Sequence, residues 1–216
     1  CLVGFNLETA EAILDLSPFP DAPAAIDVVQ SLRDKSLLTE QEAVYEVRFD
    51  MYESIRDFGT HCRTRLFDAQ AESALWRRFA THLVEYAEEW NDCVRTIDGV
   101  AALNRLSQQR ENLFAVQEWA LASGFPDLAS RAILALASTM AARGPAEQRV
   151  PRLRQCMGSA PPAWQVVLLI ALSDACRADG QWDEAMQLAD EAVNRAGLLG
   201  DVSEPGQELC GQDRMH

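Results

Sequence analysis

The residue types that most often perform chemistry are present in this chain, but their spacing fits no catalytic or metal-binding pattern. The three histidines, His61, His82 and His216, lie far apart, and the six cysteines form no CxxC pair. Because zinc sites need Cys or His ligands at short spacings, we predict no metal site. No GxSxG sequence supplies a serine nucleophile, and no GxxxxGK[ST] sequence is present to hold nucleotide phosphates.

Three further groups of residues have ordinary structural interpretations. Glu85, Glu88 and Glu89 crowd one predicted helix, where a solvated face is expected. Most cysteines lie among small apolar residues, which favours buried, reduced thiols. The tryptophans are predicted to fill core positions and not to form a ligand cage; they are Trp76, Trp90, Trp119, Trp164 and Trp182. We therefore predict that this segment is not an enzyme.

Charge and hydropathy narrow the partners that the chain can have. Its 216 residues carry 33 acidic and 19 basic side chains, a net charge of -14. This charge repels nucleic acid and anionic lipid over most of the surface. The longest apolar run, 166–172, is too short to cross a membrane. We expect a cytoplasmic protein, and the missing initiator Met and the polar tail suggest a piece of a longer polypeptide.

A change of hydrophobic period occurs within residues 47–58, VRFDMYESIRDF. Apolar and charged residues alternate over 45–51, which predicts a half-buried strand with Val47 and Phe49 on one face and Arg48 on the other. A stripe of helical spacing follows, formed by Tyr52, Ile55, Phe58, Cys62, Leu66 and Phe67. We expect a strand that runs directly into a helix.

The segment before this junction predicts two helices and a hairpin. Asn6 can cap a helix over 7–14, and the prolines of 17–23 end it. A second helix is predicted over 24–35, a strand over 36–39, a turn at 40–43 and a return strand over 44–51. The apolar residues of the second helix should face inward; they are Ile26, Val28, Val29 and Leu32. This order, over residues 1–67, resembles a winged-helix domain.

Winged helices often bind DNA, which makes a DNA-binding regulator with a helical effector domain the alternative function. That function needs a basic surface along Arg33, Lys35 and Arg48. However, residues 1–67 carry twelve acidic and six basic side chains, and the predicted wing tip, 40–42, is acidic. Such a wing suits phosphate contacts poorly, so nucleic acid is not the expected partner.

Residues 68–200 have the periodicity of helices throughout. Asp68 can cap a helix that ends near Trp90, and Pro126 can open another at a first-turn position. The remaining helices are predicted over 100–109, 111–122, 146–157, 163–178 and 183–196, with 126–142 between them. Short connections predict antiparallel neighbours. The fold expected is mainly α, with a small hairpin and an antiparallel α-α superhelix, followed by a disordered tail at 201–216.

The last two predicted helices alternate small and large residues. Gly180 permits a tight turn, and small residues allow close approach at Ser173, Ala185, Ala189 and Ala192. Large residues should fill the remaining gaps; they are Leu169, Leu172, Trp182, Leu188 and Val193. The sequence GQWDEA at 180–185 resembles the turn of a tetratricopeptide repeat, which implies stacking on neighbouring helix pairs.

The order of these parts resembles the C-terminal half of bacterial STAND-class regulators, in which an NB-ARC-like ATPase precedes a winged helix and tetratricopeptide repeats. The resemblance rests on residues 4–12, 32–38, 48–58, 77–80 and 111–113, and on the last helix pair. It implies a non-catalytic regulatory segment. A protein partner or effector would bind the repeats, and ATP or ADP would bind only in an upstream domain.

Many members of that family carry a Met-His-Asp motif whose His senses the bound nucleotide. Here the matching positions are Met51, Tyr52 and Glu53. Tyr52 can donate one hydrogen bond but lacks the charge of a histidine, so the preferred interpretation is a packed residue at the strand-to-helix corner. Met51, Glu53 and Arg56 are candidate interaction or structural residues at this corner. A free-standing tetratricopeptide adaptor is the remaining alternative.

Overall fold

The computed structural model describes residues 4–14, 16, 21–42 and 47–201. Within them the chain forms nine α-helices and one two-stranded antiparallel sheet, which confirms the prediction of a mainly helical fold with a small hairpin. The elements are α1 Leu7–Ile13, α2 Ala25–Asp34, β1 Thr39–Glu42, β2 Val47–Asp50, α3 Glu53–Leu66, α4 Ala69–Cys93, α5 Gly99–Ala122, α6 Pro126–Arg143, α7 Arg149–Met157, α8 Pro162–Ala178 and α9 Trp182–Asp201. The predicted tail lies almost wholly outside the described residues.

The first two helices and the sheet share a small hydrophobic cluster. Asn6 caps α1, accepting a hydrogen bond from the Thr9 amide at 2.8 Å, as predicted. The cluster is built on Ala10, Val29 and Leu38. Ile26 does not take part, since it is 43% exposed and not inward-facing as predicted. The inward face of α2 is formed by Ala25, Val29 and Leu32. It is therefore narrower than the run of apolar residues suggested.

The sheet starts later than its sequence predicted. β1 pairs with β2 in the register Thr39 to Asp50 and Glu42 to Val47. Ser36 has a φ of 58°, a left-handed conformation that ends α2 and prevents an extended strand from starting there. The acidic residues 40–42 consequently lie in the strand and not at the tip, which falls outside the described residues.

The two faces of β2 also differ from the predicted alternation. Val47 is exposed, whereas Arg48, predicted to point to solvent, is only 9% exposed. Arg48 is buried because the N-terminal segment pairs with the strand here in an antiparallel bridge. Phe5 and Phe49 exchange backbone hydrogen bonds of 2.9 and 2.7 Å. A Cβ on Gly4 would lie 3.0 Å from an Arg48 side-chain nitrogen, so this segment covers the arginine.

Helix α3 forms where the period changes, but its apolar stripe is not buried as predicted. Phe58 is 67% exposed, and Tyr52 and Phe67 are exposed as well. Neither hydrophobic cluster of the described residues includes a residue of α3. The spacing of apolar residues identified the helix correctly, but it did not show whether another element covers it.

Helices α4 to α9 pack as a stack around the larger hydrophobic cluster. Each helix contacts the next, and α6 also contacts both α4 and α8. Asp68 caps α4 as predicted, accepting from the Ala71 amide at 2.7 Å. A 3-10 turn, Ala146–Gln148, precedes α7. Helix α6 is thus the element around which the stack is assembled.

One helix boundary within the stack was predicted wrongly. Residues 100–109 and 111–122 form a single helix, α5, and not two. No Gly or Pro lies between Val100 and Ala122, and the buried face continues across the expected break through Leu106, Gln109 and Leu113. Continuous burial keeps the helix intact where a charged pair, Arg110 and Glu111, interrupts the pattern.

The position of α6 predicts that its core contacts dominate stability. Leu136 is fully buried, so Leu136→Ala should lower the free energy of unfolding by about 2–5 kcal/mol, because it removes contacts and leaves a cavity. Chemical denaturation measures this change. Leu198→Ala is the matched control: that side chain is exposed, and its loss should change stability by less than about 0.5 kcal/mol. Equal losses in the two variants would contradict the arrangement.

Candidate functional site

A groove of about 690 Å³ runs along one side of the stack. Helices α4, α6 and α8 contribute most of its lining, with Arg149 at the start of α7. Its larger apolar lining residues are Val94, Leu134, Trp164, Val167 and Ile170. Ile170 is 51% exposed, so part of this apolar surface is accessible to a ligand.

Charged side chains line the same groove, and one pair has close two-point geometry. Arg131 donates to Glu88 through Nε at 2.8 Å and Nη2 at 2.6 Å. These hydrogen bonds raise the pKa of Arg131, outweighing the lowering caused by burial. Glu85 and Glu89 are exposed, as predicted for a solvated face, but Glu88 is not solvated in the same way, because it bridges α4 to α6.

Two polar groups in the groove have no hydrogen-bond partner among the described residues. They are the Nε of Arg149 and the Oδ1 of Asn91, and both atoms are buried. Burial lowers the pKa of Arg149, and attraction from Asp174 and Asp179 opposes this shift. Buried polar atoms are normally paired, so Arg149 and Asn91 are the lining residues whose hydrogen bonding is incomplete within the described structure.

The interface between α8 and α9 brings together several residues singled out from the sequence. Ser173 donates from Oγ to the Ala185 carbonyl at 2.7 Å, and Ala185 and Ala192 are buried, as predicted. Gly180 has a φ of 78°, which suits the turn between the helices. Small residues at these positions allow the helix backbones to approach closely.

Two large residues predicted to fill this interface lie elsewhere. Trp182 is 64% exposed and Val193 is 71% exposed. Together with Met186 they follow a separate stripe of α9 that α8 does not cover, because α8 contacts the adjacent face of Ala185 and Ala192. Of the other tryptophans, Trp76 stacks on Trp119 in the core at 5.8 Å between ring centroids.

The strand-to-helix corner is held by Asp50, which was not among the candidate residues selected from the sequence. Asp50 accepts from the Met51 amide at 2.8 Å and from Arg56 Nη2 at 2.7 Å, and Arg56 also donates to the Met51 carbonyl. Met51 packs on the small cluster, while Glu53 is exposed in the first turn of α3. Tyr52 is 57% exposed, so the preferred packed position was wrong.

The basic surface needed for DNA binding is largely neutralised or covered. Arg33 lies 3.2 Å from Glu40 and 3.6 Å from Asp34. Arg48 is buried against the N-terminal segment. The described residues therefore present Lys35 at this surface beside an arginine already paired with two carboxylates, which is a poor arrangement for binding phosphates.

Comparisons of the whole chain with known families, curated proteins and solved structures complete the description. They give no match to a family, to a curated protein or to a solved structure. The described residues contain no group of three potential metal ligands. None of the helices described has the length and apolar character needed to cross a bilayer. The groove on α4, α6 and α8 is the candidate binding site of the described residues.

The cysteines provide a test of the described packing. Burial raises the pKa of both Cys156 and Cys176, so their thiols stay protonated to higher pH and the reactive thiolate is rarer. With iodoacetamide at about pH 8, Cys62 and Cys93, which are only half-buried, should react before Cys156 and Cys176. Peptide mass spectrometry measures the order, and it should disappear in denaturant. Early labelling of Cys156 in the native chain would refute the packing.

The charge arrangement also predicts the outcome of a DNA-binding experiment. The chain should produce no salt-dependent shift of duplex DNA in a gel, because Arg33 is paired and Arg48 is covered. Glu40→Gln is the informative variant, since it releases Arg33 from one carboxylate. A shift by the unmodified chain that weakens with salt would support the DNA-binding alternative instead.

Proposed function

We propose that this chain is a non-catalytic regulatory and protein-interaction segment of a STAND-type ATPase or signalling regulator. The observation that carries the proposal is the groove on α4, α6 and α8, whose lining combines apolar and charged side chains. Protein segments bind in such grooves through apolar anchors, while polar groups fix their orientation. Ile170 is the most exposed of the large apolar side chains that line it.

The finer architecture is part of the same proposal. The contacts of α6 with α4 and α8, in addition to those with its chain neighbours, support a tetratricopeptide-like superhelix for residues 68–200. The order α1, α2, hairpin and α3 supports a winged-helix-like module for residues 1–67. We place the protein in the cytoplasm, where buried free thiols such as Cys156 and Cys176 are stable.

A physical connection links the groove to the first module. Helix α1 packs on α4, Ile13 lies in the large cluster, and Arg78 of α4 donates to the Ile13 carbonyl at 3.1 Å. A partner that contacts α4, α6 and α8 together favours one arrangement of these helices. Through α1, it would also favour one arrangement of the first module against an upstream nucleotide switch.

The groove predicts that one substitution separates partner binding from folding. Ile170→Asp should weaken partner binding by about tenfold or more, because it replaces an apolar contact with a carboxylate that loses hydration in the complex. Ile97→Asp is the matched control, since Ile97 is 99% exposed and lies outside the groove lining. The measurement is affinity capture from cells of the source organism with both variants, quantified by mass spectrometry, with circular dichroism as the folding control.

The regulatory part of the proposal is tested on the natural gene product that carries this segment. The captured partner should change the rate of nucleotide release from that protein, and Ile170→Asp should abolish the change while Ile97→Asp preserves it. The coupling would be refuted if the gene product has no nucleotide-binding unit. It would also be refuted if the rate of nucleotide release changes neither with the partner nor with the variant. Capture that is equal for both variants would refute the groove as the binding surface.

A further inference from the structure

The groove has a different charge balance from the rest of the chain. It is lined by four arginines and three carboxylates, whereas the chain as a whole carries a net charge of -14. The arginines are Arg95, Arg131, Arg149 and Arg177, and the carboxylates are Glu88, Asp92 and Asp174. The lining of this groove thus has one more basic than acidic side chain, in a protein that is strongly acidic as a whole.

Two of the four arginines are already neutralised. Arg131 forms its two-point pair with Glu88, and Arg177 lies 3.2 Å from Asp174. Arg95 and Arg149 form no salt bridge with any residue that the structure describes. The carboxylate left over in the lining is Asp92, which is exposed. The groove therefore keeps two arginines without a carboxylate partner among the described residues: Arg95 is exposed and Arg149 is half-buried.

The environment of Arg149 indicates what would satisfy it. A half-buried guanidinium with an unpartnered Nε loses hydration without gaining a full set of hydrogen bonds. A carboxylate fits this group best, because it accepts two parallel hydrogen bonds from a guanidinium.

We propose that the groove binds a protein segment in which acidic side chains alternate with apolar ones. This inference rests on the proposed function and names the chemistry of the partner. The acidic side chains pair with Arg149 and Arg95, and the apolar ones cover Ile170 and Val167. Because the rest of the surface is acidic, it repels such a segment and directs it to the groove.

Two labelled probe peptides test the proposal by fluorescence anisotropy. In one peptide Glu alternates with Leu, and in the other every Glu is replaced by Gln. The Glu probe should bind about tenfold tighter at low salt, and the difference should shrink as salt screens the charges. Arg149→Gln should remove most of the difference. Its folding should be intact by circular dichroism, because the Nε it removes has no partner.

Arg154→Gln is the matched control on the same helix. Arg154 is exposed, pairs with Glu184 at 2.6 Å and lies outside the groove lining, so its loss should leave the preference for Glu unchanged. Equal binding of the two probes, with both lost in Ile170→Asp, would overturn the acidic preference but leave the groove as a docking surface. Binding of the Glu probe that ignores both Arg149→Gln and Ile170→Asp would overturn the site.

The remaining outcomes also decide between the two proposals. If neither probe binds while partner capture still depends on Ile170, the acidic inference is wrong and the proposed function stands. If neither probe binds and capture ignores Ile170, both proposals fail. A single-stranded DNA probe that displaces the Glu probe and loses affinity in Arg149→Gln would assign the groove to nucleic acid and overturn the proposal for a protein ligand.

Discussion

The whole stack depends on how closely four helices can approach α6. Ala129, Ala132 and Ala135 are almost completely buried on this helix, so neighbouring backbones meet small side chains there. Ile133, Leu136 and Met140 fill the spaces that remain, and they are fully buried too. Because α4 and α8 contact α6 but not each other extensively, the side of α6 between them stays open as the groove. The position of α6 between α4 and α8 therefore accounts both for the densely packed core and for the accessible groove.

The first module contacts the helical stack through side chains, in addition to its covalent connection along the backbone. Ile13 contributes to the large cluster, Arg78 donates to its carbonyl, and Asn112 donates to the Gly4 carbonyl at 3.4 Å. The Gly4 segment in turn covers Arg48. These contacts form a continuous path of packed groups from α4 and α5 to the sheet, along which the proposed coupling would act.

Helix positions could be predicted from the sequence because their signals are local. Asn6 and Asp68 cap their helices, Pro126 opens one, and Gly180 turns between two. Burial was less predictable, since spacing shows which residues share a face but not whether anything covers it. Trp182 and Phe58 lie on faces of the expected helices that no described element buries. Arg48 shows the opposite case, because a segment distant in sequence covers it.

The groove could not be predicted in this way, because no short motif contains it. Arg95, Arg131, Arg149 and Arg177 come from different elements, and only the packing of α4, α6 and α8 brings them to one surface. Arg131 acquires its carboxylate partner through this packing, Arg177 pairs with Asp174 of its own helix, and Arg149 has no carboxylate partner among the described residues. A fold selected for stability alone would gain by replacing a half-buried, unpartnered arginine with an apolar residue. The cost of keeping Arg149 is best explained by a ligand whose carboxylate offsets it.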